Sequence, residues 1–232
     1  MNLTLFDLDG TLIPSDSDHA FGEFMVSIGW AEGTRHRRRN DAFYRDYLAG
    51  TLDIDAYLEF SSAPWRGRSA AEQHCARQRF MSEVMAAQIQ PVALDLVRRH
   101  QQAGDVVAIV TATNEFVTRP LAEAFGVPDL IAVELARDAC GAFNGRIDGV
   151  PSFRDGKITR VDQWLAARGQ VWGDFDCTTF YSDSSNDLPL LERASRPVAT
   201  NPSPALEALA VERGWQVLRL FQQGFQQGFQ QG

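Results

Sequence analysis

The second part of the chain alternates between short apolar runs and amphipathic segments. Residues 106–110 and 178–182 are mostly apolar, β-branched or aromatic, which is typical of strands buried on both faces. Residues 91–103 and 115–125 have the apolar spacing of helices, and a glycine follows each of them. Because repeated strand–helix alternation builds a parallel sheet covered by helices, this pattern predicts an α/β fold with helices on both faces of the sheet.

The alternation continues to residue 220. Further segments with the two patterns predict strands at 130–135, 197–200 and 216–220 and helices at 158–165, 188–194 and 205–213. Residues 140–149 carry three glycines around Phe143 and Ile147, and this composition indicates a hairpin.

A block of helical segments separates the first predicted strand, at residues 3–8, from this alternation. Residues 15–88 have helical spacing and no strand pattern. We therefore predict a core domain, formed by residues 1–14 and 89–220, and an all-helical cap domain of residues 15–88 inserted after the first strand.

The last segment, residues 221–232, repeats PheGlnGlnGly three times. A low-complexity segment of this kind is expected to be poorly ordered or loosely packed. The domain prediction therefore places this tail outside both the core and the cap, and we predict no function for it.

Composition and charge exclude several classes of protein. Hydrophobic residues make up 44% of the 232 residues, and the formal net charge of −8 disfavours a general nucleic-acid binder. The longest apolar runs, of about five residues, are too short to span a bilayer, and the first residues lack the pattern of a signal peptide. Three cysteines without CxxC spacing indicate a reducing compartment. We expect a cytoplasmic protein that binds neither membranes nor nucleic acids, and we predict no oligomeric state.

Two carboxylates follow the first predicted strand. Asp7 and Asp9 are two residues apart, so on an extended chain their side chains point to the same side. Ligands of open α/β sheets bind at the carboxyl ends of the strands, which is where these acids are expected. A turn with two solvated acids is the alternative for this pair taken alone.

A second acidic pair follows a later strand. Asp183 and Asp187 lie in the segment SDSSND, directly before a predicted helix, and taken alone they also fit the N-terminal turn of that helix. Four carboxylates at one sheet edge repel one another unless a dication neutralises them, and oxygen ligands of this kind suit Mg²⁺. The two pairs together therefore predict a Mg²⁺ site.

Polar residues also end the strand predicted at 106–110. Thr111, Ala112 and Thr113 precede a predicted helix, and hydroxyls with free backbone N–H groups at a helix start form an anion site. Simple N-capping by Thr113 or Asn114 is the alternative. Neither GxxxxGK[ST] nor GxGxxG occurs, so a P-loop and a Rossmann phosphate loop are excluded.

These motifs, in this order, resemble those of the haloacid dehalogenase superfamily of phosphohydrolases. FDLDGTL at 6–12 resembles the first motif, the strand ending at Thr111 the second, Lys157 the third and YSDSSNDLPLL at 181–191 the fourth. The resemblance extends from residue 3 to about residue 204. It implies a Rossmann-like fold and a Mg²⁺-dependent phosphomonoester hydrolase that acts through an aspartyl-phosphate.

The resemblance also implies catalytic and metal-binding roles for the matching residues. Asp7 would be the nucleophile and Asp9 the general acid and base. Lys157 would pair with both Asp7 and the phosphate. Asp7, the backbone carbonyl of Asp9 and Asp183 would hold Mg²⁺, with Asp187 binding or orienting from close by.

The position of the helical insert resembles subclass IB, the subgroup that contains phosphoserine phosphatases and, as further relatives, histidinol-phosphate phosphatases. A small phosphorylated metabolite is therefore the expected partner, with Thr111, the Ala112 amide and Asn186 on the phosphoryl oxygens. Phosphoserine phosphatases usually have DxDST where Gly10 stands here, and they hold the substrate amine with a Glu where this chain has Asp16. Two alternatives stay open, a phosphotransferase or mutase with the same aspartyl-phosphate, and a non-catalytic binding module on the same fold.

The cap is expected to select the substrate and to close over the metal site. Asp18 and Glu23 are candidates to face an amine, and Arg66 and Arg68 to face a carboxylate. Each of them is otherwise a solvated surface charge. The four histidines have no ligand spacing, and we assign them no role.

Lys157 is the single lysine among 22 lysine and arginine residues. Arginine replaces lysine where any cation is sufficient, but not where a compact point charge must fit. One lysine at the third motif therefore predicts that this position requires an ammonium group.

Overall fold

The computed structural model describes residues 1–221, so the tail predicted at 221–232 lies outside the described residues except for Phe221. Within 1–221 the strands are β1 (Asn2–Phe6), β2 (Val106–Asn114), β3 (Leu130–Val133), β4 (Leu135–Arg137), β5 (Phe143–Ile147), β6 (Cys177–Ser182), β7 (Arg196–Thr200) and β8 (Gln216–Leu218). Six of them form one parallel sheet in the order β3-β2-β1-β6-β7-β8. The predicted parallel sheet is confirmed, and β1 lies inside it between β2 and β6.

Helices connect these strands. The α-helices of the described residues are α1 (Ser17–Ser27), α2 (Gly33–Leu48), α3 (Ile54–Ser62), α4 (Ala70–Phe80), α5 (Pro91–Gln102), α6 (Glu115–Ala124), α7 (Asp155–Ala167), α8 (Leu188–Arg193) and α9 (Pro204–Glu212). A π-helical turn (Met81–Met85) and a 3-10 turn (Ala86–Gln88) extend α4, and further 3-10 turns lie at Trp172–Asp174 and Ser185–Asp187.

Successive residues of the buried strands supply the two faces of the sheet. Phe6 of β1 and Ile109 of β2 belong to the apolar cluster that also contains the buried side chains of α5 and α6. Leu5 and Val110, each one residue away, belong to the cluster on the opposite face, with the buried side chains of α7, α8 and α9. Because side chains alternate along a strand, a continuous apolar run packs both layers of helices.

The helices α1–α4, which we call the cap helices, lie between β1 and α5 in the chain and pack on the face of α5 and α6. Phe21 of α1 meets Phe80 of α4 and Phe116 of α6 edge to face, with ring centroids 4.9 and 5.6 Å apart. Trp65, between α3 and α4, stacks on Phe116 at 4.2 Å. Buried aromatic contacts therefore join the cap helices to the sheet layer.

The predicted hairpin at 140–149 begins earlier than expected. β4 and β5 pair antiparallel, so the strand predicted at 130–135 is divided between β3 and β4. The Asp138 carboxylate accepts hydrogen bonds from the backbone N–H groups of Cys140 and Ala142, at 2.8 and 3.0 Å. This local turn, which the glycine spacing does not indicate, ends β4 and fixes the start of β5.

None of the helices formed by residues 1–221 is long and apolar enough to cross a membrane. The three cysteines form no disulfide, as their odd number and spacing predict. Cys75 and Cys140 are exposed, and Cys177 is half-buried.

Candidate active site

Three parallel strands end at one edge of the sheet and carry the predicted site residues. Asp7 directly follows β1, Thr111 lies near the end of β2, and Asp183 directly follows β6. The backbone N–H of Asp7 donates a 2.9 Å hydrogen bond to the carbonyl of Tyr181 on β6. β1 pairs with both neighbours, so Asp7 stands at the centre of this edge.

Lys157, on the first turn of α7, inserts its ammonium between two carboxylates. Its Nζ donates to Asp7 Oδ1 at 2.9 Å and to Asp187 Oδ2 at 2.7 Å, and all three side chains are buried. Burial alone lowers the pKa of a lysine, but Asp187 and Asp7 outweigh it and hold the pKa of Lys157 above its ordinary value. The lysine is therefore charged, and we call this cluster the Lys157–Asp7–Asp187 triad.

The backbone before α7 is arranged to bring Lys157 close to the sheet. Arg154, which precedes the helix, has a φ of 52°, a left-handed conformation that non-glycine residues rarely adopt. A Cβ on Gly156 would lie 2.1 Å from the carbonyl oxygen of Pro151, so only glycine allows this approach.

Asp187 has a second partner besides the lysine. The Ser182 hydroxyl donates to the same oxygen, Asp187 Oδ2, at 2.7 Å. Asp187 Oδ2 thus contacts both Lys157 and Ser182 in this structure. Asp187 lies in the short 3-10 turn that connects β6 to α8.

The nucleophile candidate Asp7 is nearly inaccessible, with 3% of its surface exposed. Burial raises its pKa to about 6, and the Asp187 charge adds to this effect while Lys157 opposes it. The ammonium therefore keeps a buried carboxylate largely ionised at neutral pH.

Asp9 is held by two donors from different parts of the chain. The backbone N–H of Ser17 donates to its Oδ1 at 2.7 Å, and the Thr113 hydroxyl donates to its Oδ2 at 2.9 Å. Burial raises the pKa of Asp9 well above its ordinary value, and the charge of Asp16 raises it further. These conditions favour the protonated carboxyl that a general acid requires.

The end of β2 leaves polar groups available for an anion. The register between β2 and β3 is irregular between Val110 and Asn114, so the intervening residues leave the regular ladder. The backbone N–H of Thr113 donates to the Thr111 hydroxyl at 3.1 Å, and the hydroxyl proton of Thr111 stays free to donate. Thr111, Ala112 and Thr113 all line the cavity that Asp7 and Asp9 enter.

Asp183 is packed tightly against the turn that follows Asp9. Gly10 has a φ of 73°, and a Cβ there would lie 2.3 Å from Asp183 Oδ2. The Thr11 hydroxyl donates to Asp7 Oδ2 at 3.5 Å and to Asp183 Oδ1 at 3.3 Å, so both carboxylates lie within reach of one small group. Gly10, the departure from the DxDST pattern, is what allows Asp183 to approach.

These donors fit Mg²⁺. Burial raises the pKa of Asp183 well above its ordinary value, and the neighbouring charges of Asp7 and Asp187 raise it further, which is a repulsion that a dication would relieve. Within residues 1–221 no three acidic, histidine or cysteine side chains form a chelating cluster. Mg²⁺ is commonly held through one or two carboxylates together with water and substrate phosphate, so Asp7, Asp183 and a backbone carbonyl are a sufficient set.

The cap helices close the other side of the cavity. Asp16, Asp18 and His19 from the start of α1 line it, together with Tyr44 and Tyr57 from α2 and α3. The sequence predicts part of this wall, because Asp16 and Asp18 are candidates to face a substrate amine. It does not predict the tyrosines, because nothing in their helical spacing separates a cavity wall from an ordinary core position.

Other predicted cap contacts lie elsewhere. Arg66 and Arg68 form surface ion pairs with Glu59 and Glu72, and Glu23 pairs with Arg37. None of the arginines or glutamates in these pairs belongs to the part of the chain that lines the cavity. Arg66 is therefore an exposed surface charge, as the alternative interpretation states, whereas Arg68 is half-buried and stacks on the ring of Trp30.

Asn186 and Arg154 connect the core to the end of α2. The Asn186 side-chain amide donates to the Tyr47 carbonyl at 2.9 Å, and the Arg154 guanidinium donates to the Gly50 carbonyl. Burial raises the pKa of the Tyr47 hydroxyl well above its ordinary value and the Ser184 side chain opposes this, so the hydroxyl also lies close to the acidic loop. In this structure the Asn186 amide thus faces the cap, whereas its expected role is a contact with phosphoryl oxygen.

Comparisons with known proteins identify the family of this chain. The family model described as haloacid dehalogenase-like hydrolase matches residues 4–192. A histidinol-phosphatase from Neisseria meningitidis serogroup C is 44% identical over 217 residues, which cover 94% of this chain and 98% of that protein.

Solved structures with a similar fold cover nearly the whole chain. A protein of unknown function from Bordetella pertussis Tohama I is 47% identical and superimposes with a TM-score of 0.89, covering 95% of this chain and 99% of that one. A phosphoserine phosphatase in a phospho-aspartyl intermediate analogue form is 17% identical with a TM-score of 0.65, covering 95% and 93%, and supports the fold alone. The resemblance stated from the motifs is confirmed: the chain belongs to the haloacid dehalogenase-like hydrolase family and is an enzyme of the phosphatase class.

Proposed function

We propose that this chain is a Mg²⁺-dependent phosphomonoester hydrolase that acts through an aspartyl-phosphate on Asp7. The observation that carries the proposal is the Lys157–Asp7–Asp187 triad, in which a buried lysine keeps a buried carboxylate ionised at the carboxyl edge of the sheet. Asp9 and Thr111 stand beside it in the same cavity. Burying charged groups destabilises a fold, and a non-catalytic module would gain nothing from a buried, ionised carboxylate.

In the first step a carboxylate oxygen of Asp7 attacks phosphorus, and the bond between phosphorus and the alkoxide oxygen breaks. Asp9 gives its proton to the leaving alkoxide, which departs as the alcohol. Thr111 and the Ala112 amide donate to phosphoryl oxygens, and Lys157 offsets their charge. In the second step Asp9 takes a proton from water, which attacks phosphorus and frees Asp7 and inorganic phosphate.

The Mg²⁺ ion would be held by Asp7, the Asp9 carbonyl and Asp183. Asp187 acts by orienting Lys157, which it contacts directly. When bound, the ion reduces the repulsion between the carboxylate nucleophile and the phosphate dianion.

We further propose that the substrate is a small phosphorylated amino alcohol of the histidinol phosphate type. The 44% identical Neisseria protein bears the name histidinol-phosphatase. Acidic residues of the cap side, Asp16 and Asp18, line the cavity, and they suit a substrate that carries basic nitrogen. Residues 15–88 would act as the cap that closes over this substrate, with residues 1–14 and 89–220 as the core.

The test is phosphate release from a panel of phosphorylated amino alcohols, amino acids, sugars and nucleotides, with Mg²⁺ and with EDTA. We expect Mg²⁺-dependent release of inorganic phosphate without any added acceptor alcohol, which also separates hydrolysis from phosphotransfer. Asp7→Asn should lower kcat by about 10⁴ or more, whereas Asp95→Asn, on the exposed side of α5, should leave it unchanged. Turnover by Asp7→Asn close to that of the wild type would exclude the nucleophile assignment.

A further inference from the structure

Asp18 is a buried carboxylate in the cavity that the proposed reaction does not use. It lies in the first turn of α1 and is 6% exposed. The Tyr57 hydroxyl lies beside it, and the Nδ2 of the Asn114 amide lies 3.5 Å from its Oδ1. No cation of residues 1–221 is among the groups that stabilise its charge. A buried acid with neutral partners alone is suited to receive a cationic or N–H-bearing ligand.

Asp16 is engaged differently. Its Oδ1 accepts a 2.7 Å hydrogen bond from the backbone N–H of His19 and thereby caps α1. One of its oxygens is therefore committed to the helix, and only the rest of the carboxylate faces the cavity. Asp18, two residues later, has no such commitment to the backbone.

The two acids lie at different depths from the reaction centre. The charge of Asp16 acts more strongly on Asp9 than that of any other carboxylate. Burial raises the pKa of Tyr57, and Asp18, Asp16 and Asp9 add to that increase in falling order. The contacts agree with this order. The backbone N–H of Ser17, the neighbour of Asp16 in the chain, donates to Asp9 Oδ1 at 2.7 Å, whereas Asp18 contacts Asn114 at the start of α6. Asp16 therefore lies beside Asp9, and Asp18 lies farther from it.

The cavity wall near these acids is largely aromatic and aliphatic. Phe43, Tyr44, Leu52 and Ile54 line it on the side of the cap helices. Such walls suit a planar ring, whereas the carboxylate at the far end suits an N–H on that ring.

We propose that Asp18 is a specificity-determining residue that binds the ring N–H of an imidazole, at the end of the substrate farthest from the phosphate. Tyr57 acts as a positioning residue for this carboxylate, and Asp16 takes the nearer amine. The inference rests on the proposed function. It matches an amino alcohol phosphate with two basic groups, since the amine is closer to the phosphate than the ring is.

The experiment compares two substrates that differ in the ring alone. L-Histidinol phosphate and L-phenylalaninol phosphate share the amine and the phosphate, but the phenyl ring has no N–H. We expect Asp18→Asn to raise KM for histidinol phosphate about 10- to 100-fold, because this is the change in affinity expected for the loss of one hydrogen bond to a charged group. The kcat of the variant should stay within about threefold of the wild-type value. KM for phenylalaninol phosphate should change less than about threefold, and Tyr57→Phe should give a smaller effect of the same selectivity.

Asp55→Asn is the matched control, since Asp55 is an exposed acid in the first turn of α3 and does not line the cavity. It should change neither KM. Asp18→Asn is isosteric and removes a buried charge, so the variant should fold, and its melting temperature checks this.

Several results would overturn the inference. If Asp18→Asn raised KM equally for both substrates, or left KM for histidinol phosphate unchanged, Asp18 would not bind the ring N–H. A wild-type enzyme that hydrolyses other phosphomonoesters but not histidinol phosphate would reject the inference and leave the reaction class intact. Absence of hydrolysis with every phosphomonoester would reject the proposed function itself.

Discussion

Asn186 donates its side-chain amide to the backbone carbonyl of Tyr47 across 2.9 Å, and so joins the acidic loop after β6 to the last turn of α2. The Tyr47 carbonyl also accepts a 3.0 Å hydrogen bond from the backbone N–H of Gly50, and a carbonyl oxygen has two lone pairs, so it can accept from both donors. Arg154 makes the equivalent bond to Gly50, two residues beyond α2. Both core segments that carry active-site charges therefore hold the same cap helix.

Removing the Asn186 amide should loosen this attachment. For Asn186→Ala we expect KM to rise about fivefold, as the loss of one hydrogen bond of about 1 kcal/mol implies, and amide hydrogen exchange to increase at residues 47–51. The measurement is hydrogen exchange of the free enzyme together with steady-state kinetics. An unchanged exchange rate at 47–51, with weaker inhibition by inorganic phosphate, would instead assign Asn186 to a phosphoryl oxygen.

Lys157→Arg tests the requirement for a compact ammonium. Lys157 is 1% exposed and its Nζ lies within 3 Å of two carboxylates, so a larger, planar guanidinium would not fit in its place. We expect kcat to fall about 100-fold or more and the melting temperature to fall. Arg168→Lys, at the exposed C-terminal end of the same helix, is the control and should alter neither. Full activity of Lys157→Arg would refute the ammonium argument while leaving the phosphatase assignment in place.

Comparing Gly10→Ala with Gly126→Ala separates the effect of backbone strain, which both variants introduce, from the displacement of Asp183, which only Gly10→Ala causes. Both glycines have positive φ, 73° and 69°, but only a Cβ on Gly10 meets a neighbouring group within 4 Å. Gly126→Ala should therefore lose about 1–2 kcal/mol of unfolding free energy from backbone strain, and Gly10→Ala should lose more because its Cβ must also displace Asp183. Only Gly10→Ala should also raise the Mg²⁺ concentration needed for half-maximal activity. Equal Mg²⁺ requirements in the two variants would remove Asp183 from the metal site.

The burial of Asp18 should make the free energy of unfolding depend on pH. Burial, followed by the charge of Asp16, raises the pKa of Asp18 from 3.8 to about 7 in the folded protein. A raised acid pKa means that the folded state binds the proton more tightly, so this group destabilises the free enzyme progressively from pH 4 to pH 7. The gain in unfolding free energy from Asp18→Asn should therefore grow over that range, by about 4 kcal/mol at most, and level off above pH 7.

Chemical denaturation of both proteins without substrate, at several pH values, measures this difference. Asp55→Asn serves again as the exposed control and should show no such growth. A gain that is the same at pH 4 and pH 8 would contradict the burial argument.

The sequence was sufficient to predict the sheet and the position of its carboxyl edge. Strand ends predict which residues meet, because parallel strands bring their carboxyl ends to one edge. Asp7 and Thr111 do line one cavity there, and the Thr11 hydroxyl contacts both Asp7 and Asp183. Lys157 is on a helix far along the chain, and only its match to the third motif indicated that it meets Asp7. The roles of these residues in catalysis stay predictions.

The sequence does not predict the contacts of side chains whose partners are distant in the chain. Thr113 appeared as a possible helix cap, yet its hydroxyl holds Asp9, and Asn114 caps α6 instead. Tyr47 and Tyr57 look like ordinary positions of amphipathic helices, and only the packing of α2 and α3 over the sheet directs them to the cavity. Burial and tertiary contacts, which a local pattern does not encode, decide such roles.

The single lysine has a consequence for the chemistry of the protein surface. Every other basic side chain apart from histidine is an arginine, and the ε-amine of Lys157 is enclosed by two carboxylates. Acylating reagents and lysine-directed modifying enzymes therefore meet no exposed lysine among the residues that surround the site. Acylation of Lys157 therefore requires a motion that exposes its Nζ, and the acylation rate would measure how often that motion occurs.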